Sequence, residues 1–420
     1  MREWRAIRPP EPRGCCSGTI FMQEVQTQNR VSRISPLLLI FLTVFIDLIG
    51  FGIVIPILPI YAESTTFHAS PAAIGWLMGS FSLAQLIFSP ILGRLSDRVG
   101  RRPVLVFSVL GSALAFLMMG LAGSLWMLFA ARIFDGVTGG NISTAQAYIA
   151  DVTRPEERAR GIGLIGAAFG LGFIVGPGIG GELSHFGLGA PFYFAAALAL
   201  FNAVSIWFLL PESLSKERRA QAHESAQTGS RWQELTEALR RPDLRMLLLI
   251  YFFLTLAFAT YQSTFALFAK IRYNYSPQQI GRFFVYVGVI GAVVQGVLLG
   301  KLTKRFGEHK LLLVGLLVMT ASSLCMPWAA TPAGLLLVLG ALSVGSSLTS
   351  SLLPALISRR SSADRQGRTL GITQSAGSLA RFIGPAWGGM MFGLFSPLAP
   401  FVLCAALTAI AIVLTLTSPD

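Results

Sequence analysis

Charged residues are scarce in this 420-residue chain, where they make up 13% of the sequence while apolar residues make up 53%. A soluble domain carries about twice that share of charge, because its surface faces water. With so little charge, a chain of this length does not cover a water-exposed surface with polar side chains. The composition therefore excludes an ordinary soluble protein and predicts one embedded in a lipid bilayer.

Cysteine and histidine are also scarce, with four residues of each type. Cys15 and Cys16 are adjacent, and Cys325 and Cys404 lie in apolar runs, so we expect no disulfide framework. The sequence also lacks a metal-ligand cluster, a nucleophile beside a base and a phosphate-binding loop. We therefore expect no enzyme, no bound metal and no cofactor.

Runs of roughly 20 apolar residues, the length that crosses a bilayer, recur along the whole chain. They predict twelve membrane spans, six in each half of the sequence. The approximate ranges are 36–60, 72–93, 103–123, 125–149, 160–183, 190–210, 244–268, 278–300, 310–330, 333–357, 367–391 and 397–417.

The spans divide the chain into four parts. A polar tail over 1–35 precedes a first six-helix bundle over 36–210, and a polar linker over 211–243 precedes a second bundle over 244–420. The start of the tail has the polar, Arg- and Pro-rich composition of a non-signal segment. Met22 is a candidate start, which would make residues 1–21 non-native.

The net charge of +13 is distributed very unevenly between the two sides of the predicted bundle. If the N-terminus is cytoplasmic, nearly all Lys and Arg residues fall in cytoplasmic segments, and the opposite loops hold only Lys270, Arg272 and Arg282. This positive-inside pattern predicts a multi-pass protein of the inner (plasma) membrane with both termini in the cytoplasm. It also accounts for the basic composition without a nucleic-acid partner.

One string occurs twice between long apolar runs: GRLSDRVGRRP begins at Gly93, and GKLTKRFGEHK begins at Gly300. GPGIGG at Gly176 and GPAWGG at Gly384 repeat in the same register. The chain is therefore duplicated, and we predict an all-α integral membrane protein of twelve transmembrane helices in two pseudo-symmetric six-helix bundles. Facing repeats of this kind build the central site of secondary transporters.

The string GRLSDRVGRRP, between the second and third predicted spans, resembles the cytoplasmic signature of the major facilitator superfamily. The resemblance implies the major facilitator fold. It also implies a gating role for five residues: Gly93, Asp97, Arg98, Gly100 and Arg101. Asp97, at a helix end, is expected to accept hydrogen bonds from a neighbouring helix N-terminus and to pair with an arginine. Lys304 stands at the equivalent position of the second copy, so such a latch would be asymmetric.

The fifth predicted span resembles the glycine-rich antiporter motif of drug-exporting members of that superfamily. Its residues are Gly166, Gly170, Gly176, Pro177, Gly180 and Gly181. Glycines three or four residues apart let two helix backbones approach closely, which suits either a sliding interface between the halves or a static packing seam.

Over residues 36–417 the chain resembles bacterial tetracycline/proton antiporters and their multidrug relatives. The segments DLIGFGIVIPILP from Asp47 and SLWMLFAARIFDGVTGG from Ser124 carry much of this resemblance. Ala115, Gly291 and Met319 depart from it, because the tetracycline exporters carry an acid, a histidine and an acid there. Those groups are implicated in moving a metal–tetracycline complex or its counter-proton, so the resemblance implies the fold and leaves the substrate open.

Four charged residues lie near the middle of the predicted spans: Asp47, Arg132, Asp135 and Arg381. Each costs about 2.5–3.5 kcal/mol to insert, so each is a candidate for function. Asp47 and Asp135 are the only acids among them, and Arg132 lies on the same helix face as Asp135. We therefore assign proton coupling to Asp47, Asp135 and Arg132. Mutual neutralisation for insertion remains the alternative for each pair.

The geometry of the superfamily places spans one, four, seven and ten around the transport path. Span seven offers Phe258, Tyr261, Gln262 and Phe265 on one face, and span ten offers Ser346 within a run of hydroxyl side chains. An aromatic wall suits bulky amphiphilic compounds, although the same face also suits packing against lipid. Arg381 either meets Asp47 or Asp135 across the cavity or binds an anionic substrate.

These features predict a monomeric proton-coupled antiporter that exports hydrophobic drugs or metabolites by alternating access. Its expected partners are a small-molecule substrate, protons and the lipid bilayer. The alternative is a carrier of an anionic metabolite, lipid or sugar, because Arg381 has no acid near it in its own half.

The charge asymmetry predicts the orientation of the chain in the membrane. In a background without the native cysteines, Ser184→Cys and Thr331→Cys should react with an impermeant maleimide added to intact cells. Ser225→Cys in the linker should react only after the cells are opened. The reverse pattern would overturn the orientation and the direction of export with it.

Overall fold

A computed structural model describes residues 35–154, 157–215, 219, 242–360 and 366–417. The predicted N-terminal tail lies outside these residues apart from Ser35. Most of the predicted linker over 211–243 also lies outside them, so the proposed four-part division remains a prediction at these two segments.

Helices account for nearly all of the described part of the chain, which contains no strand. The spans are α1 (Pro36–Glu63), α2 (Pro71–Val99), α3 (Arg101–Gly120), α4a (Leu125–Thr138), α4b (Asn141–Val152), α5 (Arg158–Leu183), α6 (Ala190–Leu209), α7 (Pro242–Tyr273), α8 (Pro277–Phe306), α9 (Glu308–Cys325), α10 (Pro332–Arg359), α11 (Gln366–Leu394) and α12 (Ala399–Thr417).

Within the described ranges, ten of these helices are long and apolar enough to cross a membrane by themselves. The two remaining spans are α4, which is divided into two short segments, and α11, which is rich in small and polar residues. Together the helices form the predicted twelve-span, two-bundle architecture, with α8 passing through one π-helical turn at Val294–Leu298.

The fourth span differs from its prediction as one continuous helix over 125–149. The structure interrupts it at Gly139 and Gly140, between α4a and α4b. Glycine has no side chain to restrict the backbone, so two in succession weaken a helix locally. The side-chain amide of Gln85 donates to the Gly139 carbonyl at 3.1 Å, which supplies the hydrogen bond that the broken helix leaves open.

The duplication predicted from the sequence is visible in how α2 and α8 begin. Each starts with a Ser-Pro pair, and the hydroxyls of Ser70 and Ser276 accept hydrogen bonds from the first helical turn at 3.2 and 3.3 Å. Two residues earlier, His68 and Asn274 both have left-handed backbones, with φ of 49° and 54°.

The same two helices also end alike. Gly100 and Gly307, which follow α2 and α8, both have positive φ, at 120° and 80°. That conformation favours glycine, which explains why each copy of the repeated string keeps one there. The two halves thus share capping and turn geometry as well as sequence.

The two halves contact each other along α2 with α11 and along α5 with α8. At the first crossing, a Cβ added to Gly389 would lie 2.9 Å from the Cα of Gly75. At the second, a Cβ added to Gly281 would lie 3.1 Å from the Cα of Gly181. Both crossings therefore bring backbone against backbone, and both use equivalent residues of the repeat.

Polar contacts join the halves on the same side as these crossings, which is the side opposite the start of α1 and the end of α12. Lys270 Nζ lies 2.8 Å from Glu63 Oε2, and Arg282 Nη2 lies 2.9 Å from Glu182 Oε1. Two of the three basic residues predicted for that side thus form ion pairs across the halves. We call this the closed side.

The opposite side, where α1 begins and α12 ends, is open between the halves. A Cβ added to Gly166, Gly170 or Gly371 would meet no atom within 4 Å, although these residues lie on the helices that touch on the closed side. The chain is therefore described in a conformation that is closed on one side and open on the side of its termini.

A bulky side chain at the glycine crossing should destabilise this conformation. Gly389→Leu places atoms against the α2 backbone, and overpacking of this kind costs about 1–3 kcal/mol. We expect its thermal melting temperature in detergent to fall. The matched control is Gly123→Leu, because a Cβ there meets no atom within 4 Å. Equal melting temperatures for the two variants would contradict the crossing.

Candidate functional site

A cavity of about 660 Å³ lies between the two halves and receives side chains from both. This volume is in the range that holds a drug-sized molecule. First-half residues on its wall include Asp47, Phe51, Phe81, Gln85, Ser112, Asp135, Gln146, Phe169 and Phe173. Second-half residues include Tyr251, Phe258, Tyr261, Gln262, Phe284, Gln295, Ser346, Gln374 and Arg381.

Asp47 lies on the first-half wall of the cavity, on α1. Its carboxylate accepts a hydrogen bond from the side-chain amide of Asn141, the first residue of α4b. Within the described residues Asp47 forms no ion pair, so the predicted pairing with Arg132 is absent from this conformation. A neutral partner leaves the Asp47 carboxylate accessible to a proton or to a cationic group from the cavity.

Asp135 also lies on this wall, near the end of α4a, and has two partners. Ser112 Oγ donates to Asp135 Oδ1 at 2.9 Å, and Arg132 Nη1 lies 3.4 Å from Asp135 Oδ2. Both members of this ion pair are buried, with 2% and 5% of their side chains exposed. Arg132 and Ser112 thus supply a counter-charge and a hydrogen-bond donor that offset part of the cost of burying this carboxylate.

Arg132 is held behind the cavity surface rather than on it. Its guanidinium carbon lies 4.5 Å from the centre of the Phe81 ring, which itself faces the cavity. Its buried Nε has no hydrogen-bond partner among the residues that the structure describes. A cation over an aromatic face is attracted to the ring, so Phe81 covers the charge while Asp135 neutralises it.

The second-half wall contains most of the residues that the sequence predicted for substrate contact. Phe258, Tyr261, Gln262 and Ser346 all line the cavity. Phe265 is 1% exposed and packs behind the wall, with its ring 5.5 Å from Tyr261 and 5.7 Å from Phe284. The Phe265 ring therefore supports this wall instead of forming it, and a direct contact with substrate is not part of this conformation.

Arg381, on α11, also faces the cavity. Its Nη2 donates to Ser378 Oγ at 3.2 Å, and its guanidinium interacts with the side chain of Tyr251. Among the described residues it forms no ion pair, either with Asp47 or with Asp135. Its positive charge therefore lies on the cavity wall with neutral partners only.

Two of the five predicted gating residues, Asp97 and Arg101, belong to a side-chain network on the open side. Arg101 Nη1 lies 2.6 Å from Asp97 Oδ1, and Arg101 Nε lies 3.0 Å from Asp151 Oδ2 at the end of α4b. Arg101 is buried, whereas 47% of the Asp97 side chain is exposed. The structure thus links the ends of α2, α3 and α4b through one guanidinium.

The capping role expected of Asp97 belongs to Glu212 in this conformation. The Glu212 carboxylate accepts hydrogen bonds from the backbone N–H groups of Arg101 and Arg102 at 2.9 and 3.2 Å, at the start of α3. A carboxylate there is favoured by the helix dipole. Gly93 and Arg98 lie on the same end of α2 and are not part of this network.

The glycine-rich motif of α5 serves three different surfaces. Gly176 and Gly180 pack against α1 of the same half, near Gly52 and Ile53. Gly181 and the carbonyl of Pro177 contact α8 of the other half near Gly281, whereas Gly166 and Gly170 face the cavity. The motif therefore provides a packing seam within the first half and a contact between the halves, and sliding at that contact stays a prediction.

Several residues of the site were not singled out from the sequence. Asn141 and Gln85 form hydrogen bonds at the break in α4, Ser112 donates to Asp135, and Tyr251 interacts with Arg381. The Gly139–Gly140 pair inside an apolar run, followed by an amide residue, was the one local signal for the first two. The described residues contain no group of three or more His, Cys, Asp or Glu side chains that could hold a metal.

Sequence comparison gives a family match over nearly the whole span region. Residues 40–385 and 296–420 match the model of the Major Facilitator Superfamily. Multidrug resistance protein 2 of Bacillus subtilis (strain 168) is 32% identical over 354 residues, covering 84% of this chain and 87% of that protein. The class C tetracycline resistance protein of Escherichia coli is 33% identical over 362 residues, covering 83% and 87%.

Solved structures have the same architecture. The human organic anion transporter MFSD10 (TETRAN) matches with a TM-score of 0.69 at 26% identity, covering 90% of this chain and 98% of that chain. A bacterial homologue of the human lysosomal transporter Spinster, inward-facing and occupied, matches with a TM-score of 0.73 at 17% identity, covering 91% and 96%. At that identity the second likeness shows the fold alone.

The Asn141 amide should control the state of Asp47. Asn141→Ala removes the hydrogen bond to the carboxylate, so the infrared carboxyl band assigned to Asp47 should shift, and the pH at which it titrates should change. Asn202→Ala is the matched control, because this buried amide donates to the Thr43 carbonyl at 2.9 Å, away from the cavity.

Both substitutions should lower stability, by about 0.5–1.5 kcal/mol, because each removes a buried hydrogen bond. A change of the Asp47 band in both variants, or in neither, would contradict a specific role for Asn141.

Proposed function

This chain belongs to the major facilitator superfamily. We propose that it is a proton-coupled antiporter that exports hydrophobic drugs or metabolites by alternating access. It is a multi-pass membrane transporter of a small molecule. The observation that carries the proposal is the pairing, on one cavity wall, of two carboxylates with a cluster of aromatic rings. Relatives named for multidrug and tetracycline resistance support the same direction of transport.

Asp47 and Asp135 are the proton carriers in this proposal. A proton site inside the membrane needs a group that sheds its charge when it binds the proton, and a carboxylate does so. Both carboxylates face the cavity, so substrate and proton reach them from the same space. Competition for one site gives antiport, since the carrier then returns with protons after releasing substrate.

Arg132 couples the two carboxylates. It pairs with Asp135 at 3.4 Å in this conformation and has one N–H group without a partner. Protonation of Asp135 would leave the arginine without a counter-charge, which favours its pairing with Asp47. Exchange of Arg132 between the two acids would then move α4 relative to α1, because each acid is on a different helix.

Alternating access requires the closed side to open and the open side to close. The glycine crossings and the two ion pairs on the closed side are short-range contacts that a rigid-body rotation of the halves would break together. On the open side, the exposed carboxylate of Asp97 is the free end of the Arg101 network, available to the second half on closure. We assign Gly93, Asp97, Arg98, Gly100 and Arg101 to this gate.

The rings of Phe51, Phe81 and Phe173 form a continuous aromatic surface beside the acids, with centroids 5.7 and 6.0 Å apart. Phe258 and Tyr261 face them from the second half, 6.3 Å apart. Such surfaces bind flat or bulky apolar groups with little dependence on their detailed shape. This lining favours hydrophobic substrates over sugars, which need many fixed polar contacts.

A second candidate, carriage of an anionic compound, is favoured by the unpaired charge of Arg381. The human relative named as an organic anion transporter, at 26% identity, is consistent with it. We retain both termini in the cytoplasm and a monomeric carrier as parts of the proposal, from the charge distribution and from a cavity built within one chain.

The coupling proposal is tested in everted membrane vesicles with a pH-sensitive dye and a panel of neutral, cationic, anionic and zwitterionic aromatic compounds. Compounds that dissipate the pH gradient with the unmodified carrier are substrates. Asp47→Asn or Asp135→Asn should reduce gradient-driven transport of them about tenfold or more, because the amide binds no proton. Exchange of substrate without a gradient should survive in at least one variant.

Glu157→Gln serves as the control, because it removes a carboxylate at the start of α5 outside the cavity and should leave coupling unchanged. Near wild-type gradient-driven transport in Asp47→Asn, Asp135→Asn and the double variant would exclude these residues as the proton carriers.

A further inference from the structure

Arg381 is a charged side chain on the cavity wall. Proton coupling assigns it no role. A charge at this depth of a span costs about 2.5–3.5 kcal/mol to insert, so an arginine without a counter-charge needs a compensating interaction. Arg132, the other arginine inside a span, obtains one from Asp135. Arg381 has Ser378 and Tyr251 as neighbours, and both are neutral.

The local packing holds the Arg381 guanidinium and the Tyr251 hydroxyl side by side. A Cβ added to Gly377 would lie 3.1 Å from the Tyr251 hydroxyl oxygen and 3.2 Å from Arg381 Nη1. The absence of a side chain at Gly377 thus leaves the space in which these two groups meet. Both residues line the cavity, so their remaining donors face it.

An arginine has five N–H donors in a planar fork, and Ser378 and Tyr251 occupy a minority of them. That fork matches a carboxylate, sulfonate or phosphate in two parallel hydrogen bonds, and an adjacent tyrosine hydroxyl adds a further donor. The chemistry of this corner therefore fits an acidic group of a molecule bound in the cavity.

The opposite wall has the opposite charge. Asp47, from the first half, faces the same cavity and has only the neutral Asn141 as its partner. Aromatic rings from both halves lie along the walls that carry these charges. A bound molecule that fills the cavity therefore meets a carboxylate, an apolar aromatic surface and a guanidinium.

Proton antiport is compatible with some substrate charges and not with others. A simple anion at Arg381 would bind best after Asp47 is protonated, because a charged Asp47 repels it across a low-dielectric cavity. Proton and anion would then favour the same state, which is the pattern of symport. A simple cation would compete with the proton at Asp47 but would leave Arg381 unpaired and repelled.

We propose that Arg381 and Tyr251 form an anion-binding subsite, and that the exported substrate is an aromatic zwitterion with its acidic group at Arg381 and its basic group at Asp47. The basic group displaces the proton from Asp47, which preserves antiport, and the acidic group supplies the counter-charge that Arg381 lacks. This inference rests on the proposed proton-coupled export through the same cavity.

Three fluorescent probes with one aromatic body separate the possibilities. Nα-dansyl-lysine is a zwitterion whose ammonium and carboxylate lie at opposite ends of the lysine chain, dansylcadaverine is the same molecule without the carboxylate, and Nα-dansyl-Nε-acetyl-lysine keeps the carboxylate without the amine. Equilibrium binding of each to the purified carrier in detergent is followed by dansyl fluorescence. We expect the wild-type carrier to bind the zwitterion more tightly than either of the other two probes.

Arg381→Gln should weaken binding of dansyl-lysine about 10- to 100-fold, as expected for loss of a charge-assisted hydrogen-bond pair. Its binding of dansylcadaverine should not weaken, because a cation gains nothing from Arg381 and is repelled by it, and retained binding also shows that the variant is folded. Arg381→Lys should recover part of the loss, and Tyr251→Phe should show a smaller one. Asp47→Asn should weaken binding of the two amine-bearing probes and tighten binding of the acetylated probe, because the charge that repels this anion is removed.

The matched control is Arg305→Gln, because that guanidinium lies over the Phe306 ring outside the cavity wall. It should leave the binding of all three probes unchanged.

Tighter wild-type binding of the acetylated probe than of dansyl-lysine would overturn the zwitterion in favour of a simple organic anion. Equal losses of dansyl-lysine and dansylcadaverine binding in Arg381→Gln, no loss in either, or no binding of dansyl-lysine at all would overturn the subsite. Proton coupling is measured separately, as gradient-driven flux of the same probes in liposomes. Loss of flux coupling with the binding pattern intact would refute the antiport mechanism and leave the subsite standing.

Discussion

Backbone contact at four glycines is the constraint on which the rest of this structure depends. Gly75 meets Gly389, and Gly181 meets Gly281, in two crossings that the duplication makes equivalent. Lipid provides no hydrophobic force that pushes helices together, so the halves are held by close packing and short polar contacts. Because both crossings lie on the closed side, the halves diverge towards the termini, and that divergence creates the cavity.

Charged side chains inside the membrane must find their partners within the protein, because the surrounding lipid offers none. Asp135 is neutralised by Arg132, which Phe81 separates from the cavity. Asp47 and Arg381 have neutral partners, and they face the cavity from opposite halves. The residues left incompletely compensated are therefore those that a proton or a substrate can reach, which links the cost of burying charge to transport.

On the open side, each half contains an ion pair at equivalent helix ends, with the acid and the arginine exchanged. In the first half, Arg101 at the start of α3 pairs with Asp151 at the end of α4b. In the second half, Glu308 at the start of α9 pairs with Arg359 at the end of α10, at 2.9 Å. The ion pair is thus present in both halves, with the positive and negative residues in opposite positions. Among the described residues, the first half adds Asp97 and Glu212 around Arg101 without an equivalent in the second half, so this network is asymmetric even though the helices are not.

The sequence by itself determined the twelve spans, the duplication, the family and the cavity charges Asp47, Asp135 and Arg381, because apolar runs, repeated strings and interruptions by charge are local patterns. Only the tertiary structure decided that Phe265 lies behind the wall, that Gly166 and Gly170 face the cavity while Gly181 contacts α8, and that Asn141 donates to Asp47 across a broken helix. Those outcomes depend on how each helix is rotated and crossed by partners distant in the chain. Residues on one helix share a periodicity whether they face lipid, a neighbour or the cavity, so the pattern alone does not distinguish these environments.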